Sequence, residues 1–188
     1  VQTCALPIYR SMSLPQPYWQ SDCGRFTIYH ADCLTILPHL TGVDAVVTSP
    51  PYNIGNTHHN NKSRHSPYPD ELPEGEYQAN QIEVLEALRF VARNCFYNHK
   101  NRIRDGFEIS PREWFTFAGW IIRQECVWIN NGPNHDPCRF YPKTERIWWL
   151  CRDTKQELSN FRHWDVFNWN TVNESLSGDS HTRAFRSE

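Results

Sequence analysis

A chain of 188 residues that is 39% hydrophobic and 14% aromatic can bury a substantial core, which fits one domain better than two. It contains no unbroken apolar run of membrane-spanning length, no secretory-type start and seven cysteines without a CxxC pair, so we expect a cytoplasmic protein with neither a disulfide framework nor a structural zinc site. The net charge of -2 excludes a strongly basic protein, and any contact with nucleic acid must come from local clusters of Lys and Arg.

The two ends of the sequence are treated separately. Residues 1–8, Val-Gln-Thr-Cys-Ala-Leu-Pro-Ile, resemble a translated sequencing adapter, and we exclude them from the fold prediction. Residues 171–188 have no apolar periodicity and no helix stop signal, so we expect the domain to be incomplete at its C-terminal side.

The first half of the chain predicts an α/β fold. Residues 26–29 alternate and are rich in β-forming residues, residues 34–40 form a short helical or irregular piece, and residues 45–48 are a compact apolar strand. An apolar strand of this kind is typical of the buried middle of a parallel sheet, and the strand-helix-strand order predicts a right-handed crossover.

A polar stretch and further elements follow. Residues 54–80 are rich in Asn, His, Pro and Ser, and we predict a functional loop there. Its histidines, His58, His59 and His65, have no carboxylate partner at helical spacing, so we assign no metal site. Beyond the loop, apolar spacing predicts a helix from Ile82 to Ala92, a strand at 95–98, a helix that starts at Pro111 after a Ser110 cap, and strands at 126–129 and 146–150.

The strongest chemical signal lies directly after the apolar strand. Residues 48–53 have the sequence Thr-Ser-Pro-Pro-Tyr-Asn, at the carboxyl edge where open α/β sheets bind ligands. Pro50 and Pro51 fix the backbone and remove two N–H donors, which leaves carbonyl acceptors. Ser49 and the Pro50 carbonyl are suited to hold the hydrogens of a base amine and free its lone pair, while Tyr52 offers a flat face to an extruded base. We therefore predict these four residues to be catalytic.

This run resembles the catalytic motif of the DNA adenine-N6 and cytosine-N4 methyltransferases, in which Asp, Asn or Ser precedes Pro-Pro and an aromatic residue. The segments 31–34 and 43–47, and later 97–100, Trp128 and 142–147, are also similar to that family. The resemblance implies a Rossmann-like, three-layer methyltransferase sheet, a partial catalytic domain over residues 9–188 with a mobile target loop at 54–80, and S-adenosylmethionine as cofactor. It implies that Asp32 lies near the adenosine of that cofactor, although an Asp before a helix is also a routine N-cap.

The resemblance also implies double-stranded DNA as a partner. Residues 99–152 carry 9 Lys and Arg against 6 Asp and Glu, which makes this region the best candidate to face DNA. The residues we predict to contact DNA are Asn53, Arg102, Arg104, Arg139 and Lys143. A bacterial or phage origin and a restriction endonuclease partner are compatible with the family; the sequence does not give the oligomeric state.

One family signature is absent. No Phe-x-Gly-x-Gly turn, which holds the methionine part of the cofactor, occurs in the 188 residues, and we expect it beyond Glu188. Two alternatives stay open: a catalytically inactive DNA-binding remnant, and a glutamine-directed protein methyltransferase, which usually has Asn before Pro-Pro-Tyr. Ser49 favours cytosine N4 over adenine N6, because adenine enzymes more often carry Asp or Asn at this position.

Overall fold

The computed structural model describes residues 13–54, 70–129, 143–154 and 166–168. Residues 166–168 are described by their backbone alone. The strands are β1 (Trp19–Gln20), β2 (Thr27–Ile28), β3 (Val43–Thr48), β4 (Ala92–Asn98), β5 (Arg102–Arg104), β6 (Phe107–Ile109), β7 (Ile121–Ile129), β8 (Thr144–Cys151) and β9 (Val166–Asn168). The helices are α1 (Cys33–Ile36), a 3₁₀ turn (Leu37–His39), α2 (Glu74–Val91) and α3 (Arg112–Phe117). Within these ranges, no helix is long and apolar enough to cross a membrane.

The central sheet is mixed rather than parallel. Its five strands lie in the order β3-β4-β8-β7-β9, with β3 parallel to β4, β8 antiparallel to both β4 and β7, and β9 parallel to β7. The α/β class is confirmed, but the buried central position predicted for β3 is wrong for the described part of the chain. There β3 is an edge strand, and Val47 is 82% exposed. An unbroken apolar run indicates a strand without indicating how many neighbours it has.

The strand predicted at residues 26–29 exists but does not join the central sheet. Thr27 and Ile28 form β2, which pairs only with β1 in a small antiparallel hairpin. Both residues are exposed. The predicted crossover from this strand to β3 is therefore wrong, because β-forming side chains alone do not specify the partner strand.

The core lies between one face of the sheet and the helices. Cys95 and Tyr97 of β4 alternate with outward residues, and their cross-strand partners Leu150 and Trp148 of β8 lie on the same face. Against this face pack the apolar sides of α2 and α3, and the Trp120 indole donates to the Leu85 carbonyl at 2.8 Å. The helices of the described ranges all belong to this layer, so those ranges show two layers and not the three expected.

Helix α2 begins inside the segment predicted to be a loop. It starts at Glu74, directly after Pro73, so the prediction of a loop to residue 80 is wrong from 74 onward. The first turn, Glu-Gly-Glu-Tyr-Gln, is polar apart from Tyr77, which is only 2% exposed. Because one buried side chain per turn gives little apolar periodicity, the sequence predicts the helix only from Ile82. Residues 55–69 lie outside the described ranges.

The other predicted elements are confirmed with small shifts. The strands at 95–98, 126–129 and 146–150 fall within β4, β7 and β8, and residues 34–40 contain α1 and the 3₁₀ turn. Helix α3 begins at Arg112, whose N–H donates to the Ser110 hydroxyl at 3.4 Å. The strand pairing of the central sheet places the ends of β3, β4 and β7 and the start of β8 along one edge of the sheet.

Candidate functional site

A cleft of ≈ 430 Å³ lies at this edge, beyond the end of β3. Its volume falls in the range of small-ligand sites. The parallel pairing of Thr48 with Tyr97 brings the segment after β3 beside the end of β4, and the pairing of Trp128 with Glu145 forms the opposite wall. The lining residues are Ser49, Pro50, Pro51, Tyr52, Ile54, Asp70, Asn98, Trp128 and Glu145. The four residues predicted to be catalytic therefore share one cavity.

The Asn98 amide organises the two hydroxyls of the cleft. Ser49 donates to the Asn98 Oδ1 at 3.1 Å, and the Tyr52 hydroxyl donates to the same oxygen in a short hydrogen bond. The Asn98 Nδ2 donates to the Arg146 carbonyl at 3.0 Å, which fixes the direction of the amide. Since the oxygen of Asn98 attracts both protons, the remaining lone pairs of Ser49 and Tyr52 are available as acceptors.

The ring of Tyr52 is held in place on one side. It lies 4.8 Å from the His99 ring, and the Lys100 Nζ is 5.6 Å from its centroid. Burial raises the pKa of the Tyr52 hydroxyl; Ser49 opposes this shift and the negative charge of Glu145 adds to it. The hydroxyl therefore stays protonated at neutral pH, and Tyr52 acts as a fixed aromatic surface.

The two proline carbonyls have different surroundings. The Tyr77 hydroxyl lies 2.8 Å from the Pro51 carbonyl oxygen and holds that peptide against α2. None of the hydrogen bonds of the described residues uses the Pro50 carbonyl. The Pro50 carbonyl therefore has no hydrogen-bond donor among the described residues, and its predicted role as an acceptor for a ligand stays a prediction.

Asn53 has a structural role that argues against its predicted contact with DNA. It is 1% exposed and has a positive φ of 55°, a conformation that Asn tolerates better than most residues. Its amide donates to the Leu72 carbonyl at 2.9 Å and accepts from the Leu72 N–H at 2.7 Å, while its own N–H donates to Asp70 at 2.7 Å. Asn53 therefore anchors the segment that precedes α2 from a buried position, and its contact with DNA stays a prediction.

The other predicted DNA contacts have separate outcomes. Arg102 is 4% exposed and pairs with Glu74 at 2.6 Å, so its guanidinium is not available to phosphate in this structure. Arg104 lies beside the cleft segment, 3.3 Å from the Asn53 carbonyl, and Lys143 is exposed at the start of β8. Arg139 lies outside the described residues. The contacts of Arg104 and Lys143 with DNA stay predictions.

Asp32 caps a helix. Its Oδ1 accepts the Leu34 N–H at 2.9 Å at the start of α1, which is the alternative role considered from the sequence. The side chain is exposed, and capping does not prevent an additional contact with a ligand. The role of Asp32 at a cofactor stays a prediction.

His99 is a fully buried ionisable group next to Asn98 of the cleft. It is 0% exposed, with Nε2 2.7 Å from the Tyr77 hydroxyl and Nδ1 2.7 Å from the Lys100 carbonyl. Burial lowers the pKa of His99 to about 4, and the positive charges of Arg102 and Lys100 act in the same direction, against the hydrogen bond to the Lys100 carbonyl. The imidazole is therefore neutral at pH 7.

This neutral imidazole predicts destabilisation by acid. An ordinary His pKa of 6.5 in the unfolded chain and about 4 in the folded protein mean that the unfolded state binds the proton first as the pH falls. The contribution of the neutral His99 to the free energy of unfolding is complete above pH 6.5 and is lost as the pH falls towards 4. About 2–3 kcal/mol of it is lost at pH 4.5. We expect the loss of stability between pH 7 and pH 4.5, measured by urea titration, to be about 2–3 kcal/mol smaller in His99→Gln than in the parent protein. Equal pH dependence of the two proteins would contradict the assignment.

Several residues of the site were not predicted individually. Asn98 and His99 end β4 and belong to a segment that resembles the family, yet their contacts depend on the alignment of β4 with β3 and β8. Tyr77 was placed in the predicted loop. The only available signal was the position of Asn98 at a strand end next to the motif strand, because ligand-binding residues collect at such edges.

Comparisons with known proteins support the fold. No family model matches the sequence, and no curated protein matches it. A solved PvuII DNA methyltransferase described as cytosine-N4-specific is 12% identical, with a TM-score of 0.59; the match covers 79% of this chain and 58% of that chain. A complex of M1.HpyAVI with SAM is 17% identical over 80% of this chain and 64% of that one, with a TM-score of 0.44. The chain thus has a methyltransferase-like fold and spans well under two thirds of the length of the PvuII enzyme.

Proposed function

We propose that the protein transfers a methyl group from S-adenosylmethionine to the exocyclic amine of cytosine (N4) or adenine (N6) in double-stranded DNA. The observation that carries this proposal is the shared cleft of Ser49, Pro50 and Tyr52, in which two oxygen acceptors lie next to an aromatic ring. The likeness to the PvuII enzyme supports a fold in which such chemistry occurs. DNA as partner is part of the proposal.

The chain's own residues act on the base. An exocyclic amine is a poor nucleophile because its lone pair is delocalised into the ring. Ser49 and the Pro50 carbonyl accept its two hydrogens and turn the nitrogen towards a tetrahedral arrangement, which frees the lone pair for in-line attack on a methyl carbon. Tyr52 stacks on the base after extrusion from the duplex. The extra proton on the methylated nitrogen passes to water, because the Ser49 hydroxyl donates its own proton to Asn98 and neither group is a base.

The described residues fit only part of the cofactor. S-adenosylmethionine, when bound, supplies an electrophilic methyl group. Asp32 offers an exposed carboxylate to the hydroxyls of an adenosine. Gly24, Gly42, Gly75, Gly106 and Gly119 are the glycines of the described ranges, and they are too far apart in sequence to make a glycine-rich turn for the methionine part. For this reason a DNA-binding remnant without activity is the second candidate function.

Cytosine N4 is the favoured target within this proposal. The basis is Ser49 at the first position of the motif, where the adenine enzymes of the resembling family more often have Asp or Asn. The 12% identity with the PvuII enzyme bears on the fold and not on the choice of base.

The test is transfer of labelled methyl groups from S-adenosylmethionine to duplex DNA of mixed sequence, followed by digestion to nucleosides and identification of the modified base. N4-methylcytosine or N6-methyladenine in the product supports the proposal, and the ratio of the two gives the target. Binding to DNA without transfer by the folded protein favours the remnant.

Asp32 can be tested separately from its cap. Asparagine caps helices as well as aspartate does, so Asp32→Asn should leave the free energy of unfolding within about 0.5 kcal/mol of the parent, whereas Asp32→Ala should lose about 1 kcal/mol. If Asp32 also binds the adenosine hydroxyls, both variants should weaken cofactor binding about tenfold in calorimetric titrations. Unchanged affinity in Asp32→Asn would leave capping as its sole role.

A further inference from the structure

A single hydroxyl, that of Tyr77, lies between two acceptors, one of them the carbonyl of the cleft-lining residue Pro51. It is 2.8 Å from the Pro51 carbonyl oxygen and 2.7 Å from the Nε2 of His99. We propose that Tyr77 and His99 are positioning residues which hold the Pro51 carbonyl through one hydroxyl proton shared between the two acceptors. They thereby hold the backbone of Pro50 and Pro51, here called the Pro-Pro ledge. This inference rests on the proposed function, because the ledge matters only if the cleft holds a base.

The protons of the network can be counted. The Lys100 carbonyl, 2.7 Å from the His99 Nδ1, cannot donate, so that contact requires a hydrogen on Nδ1. A neutral imidazole carries one ring hydrogen, and its Nε2 is then an acceptor that needs the Tyr77 proton. The Pro51 carbonyl needs the same proton. Three contacts of hydrogen-bond length are therefore served by two hydrogens.

The other arrangements of the protons are less favourable. A hydrogen on Nε2 would leave the Nδ1 lone pair facing the Lys100 oxygen at 2.7 Å. A doubly protonated ring would satisfy all three contacts, but it would place a cation in a site that is 0% exposed. The hydroxyl hydrogen of Tyr77, in contrast, can rotate between its two acceptors. The Nδ1–H form with a shared Tyr77 proton is therefore preferred.

The charged and titratable groups around His99 support the neutral ring. The phenol rings of Tyr52 and Tyr97 lie against it, the first tilted and the second stacked, with centroids 4.8 Å and 5.8 Å away. Arg102 and Lys100 disfavour a proton on the ring, whereas Glu74 favours it less strongly, and burial outweighs all three by lowering the pKa of His99 to about 4. At neutral pH the network consequently has two hydrogens, one on the His99 Nδ1 and one on the Tyr77 hydroxyl, and not the three of a doubly protonated ring.

The shared Tyr77 proton affects the Pro-Pro ledge through the carbonyl of Pro51, its second residue. Tyr77 is in the first turn of α2 and is 2% exposed, so its hydroxyl is a rigid point of attachment. Holding the Pro51 carbonyl towards α2 keeps it out of the cleft and leaves the Pro50 carbonyl as the acceptor there. Because the proton is shared, the attachment is weaker than a full hydrogen bond and depends on the state of His99.

Two NMR measurements on the chain as it stands test the network. Long-range ¹H–¹⁵N spectra at pH 7 should show His99 as a neutral ring with hydrogen on Nδ1. Labelling with ¹³C′-proline and ¹⁵N-tyrosine gives one signal for each of the three Pro-Tyr pairs in the sequence, and Tyr52→Phe identifies the Pro51–Tyr52 pair. The Pro51 carbonyl signal should move upfield in Tyr77→Phe, since the carbonyl loses a donor.

A matched control is available in the same core. Tyr97→Phe also removes a buried hydroxyl, one that donates to Gln81, on a ring stacked with His99. It touches neither Pro51 nor a ring nitrogen of His99. We expect Tyr97→Phe to leave the Pro51 signal unchanged and to keep single-turnover methyl transfer within about twofold, while Tyr77→Phe slows transfer about 10- to 100-fold at unchanged DNA affinity.

The outcomes separate the inference from the proposed function. An Nε2–H or doubly protonated His99 at pH 7, or a Pro51 signal that ignores Tyr77→Phe, overturns the network. Equal effects of the two tyrosine variants on transfer overturn the positioning role. A parent protein with the expected NMR signals but no transfer overturns the proposed function and the positioning role that rests on it, while the proton arrangement stands.

Discussion

Replacing Tyr52 with alanine is expected to slow methyl transfer about 100-fold or more. Stacking of a base on an aromatic ring contributes about 1–3 kcal/mol, and each 1.4 kcal/mol corresponds to a factor of ten. The ring of Tyr52 also covers His99, and its hydroxyl shares the Asn98 oxygen with Ser49. The alanine variant therefore loses the stacking surface and disturbs the serine that holds the amine. Single-turnover transfer to duplex DNA measures the effect.

Two further variants separate these contributions. Tyr52→Phe keeps the ring and removes the hydroxyl, and we expect it to retain most of the stacking with a loss of about tenfold or less. Tyr18→Ala removes a tyrosine that is 75% exposed near β1, away from the residues that line the cleft, and should leave transfer unchanged. If Tyr52→Ala and Tyr18→Ala behave alike in folded protein, Tyr52 does not contact the base.

Loss of the Glu74 carboxylate is expected to destabilise the fold by about 3–5 kcal/mol, because it leaves the buried Arg102 charge without a partner. Glu74 accepts from both terminal nitrogens of Arg102, at 2.6 and 2.9 Å, and the Arg102 side chain is 2% exposed. Burial raises the pKa of Glu74, but the hydrogen bonds from Arg102 and Gln78 outweigh it, so the pKa is lowered overall and the carboxylate is ionised. Urea unfolding of Glu74→Ala gives the value.

A surface ion pair provides the matched control. Glu125 bonds Arg112 at 2.9 Å and Arg146 at 2.8 Å, but these arginine side chains are 57% and 34% exposed. Water can replace the lost carboxylate there, so Glu125→Ala should cost about 1 kcal/mol or less. The double variant Glu74→Leu with Arg102→Met should recover much of the stability, since it leaves no buried charge. A loss in Glu74→Ala as small as that in Glu125→Ala would show that Arg102 reaches solvent.

The sequence predicts local secondary structure better than it predicts which strands pair with each other in the sheet. The strand before Ser49 and the strand that ends at Asn98 follow from short apolar runs, and Ser110 marks the start of a helix; each of these signals lies within a few residues. The pairing of β4 with β8 and the edge position of β3 depend on contacts between distant segments, which no local pattern encodes. The apolar strand before Ser49 predicted a parallel sheet and the resemblance implied three layers, whereas the described residues form a mixed sheet with helices on one face.

The same distinction applies to the site. The Ser-Pro-Pro-Tyr run was recognisable because the chemistry of the amine requires acceptors and a ring close together in sequence. Asn53 and Arg102 were assigned to DNA by residue type, and the structure buries both. Asn and Arg serve equally well as internal anchors, here through the bond of Asn53 to Leu72 and the ion pair of Arg102 with Glu74. Residue type alone does not distinguish these uses.

The pairing of β4 with β8 determines when the site can form during synthesis. The Ser49–Asn98 bond spans 49 positions, and β4 waits for β8, whose last residue Cys151 pairs with Asn94. Contacts between such distant segments slow folding because a large loop must close first. A chain emerging from the ribosome therefore exposes β4 without its neighbour β8 until residue 151 has appeared. The cleft assembles late, after α2 has had time to form.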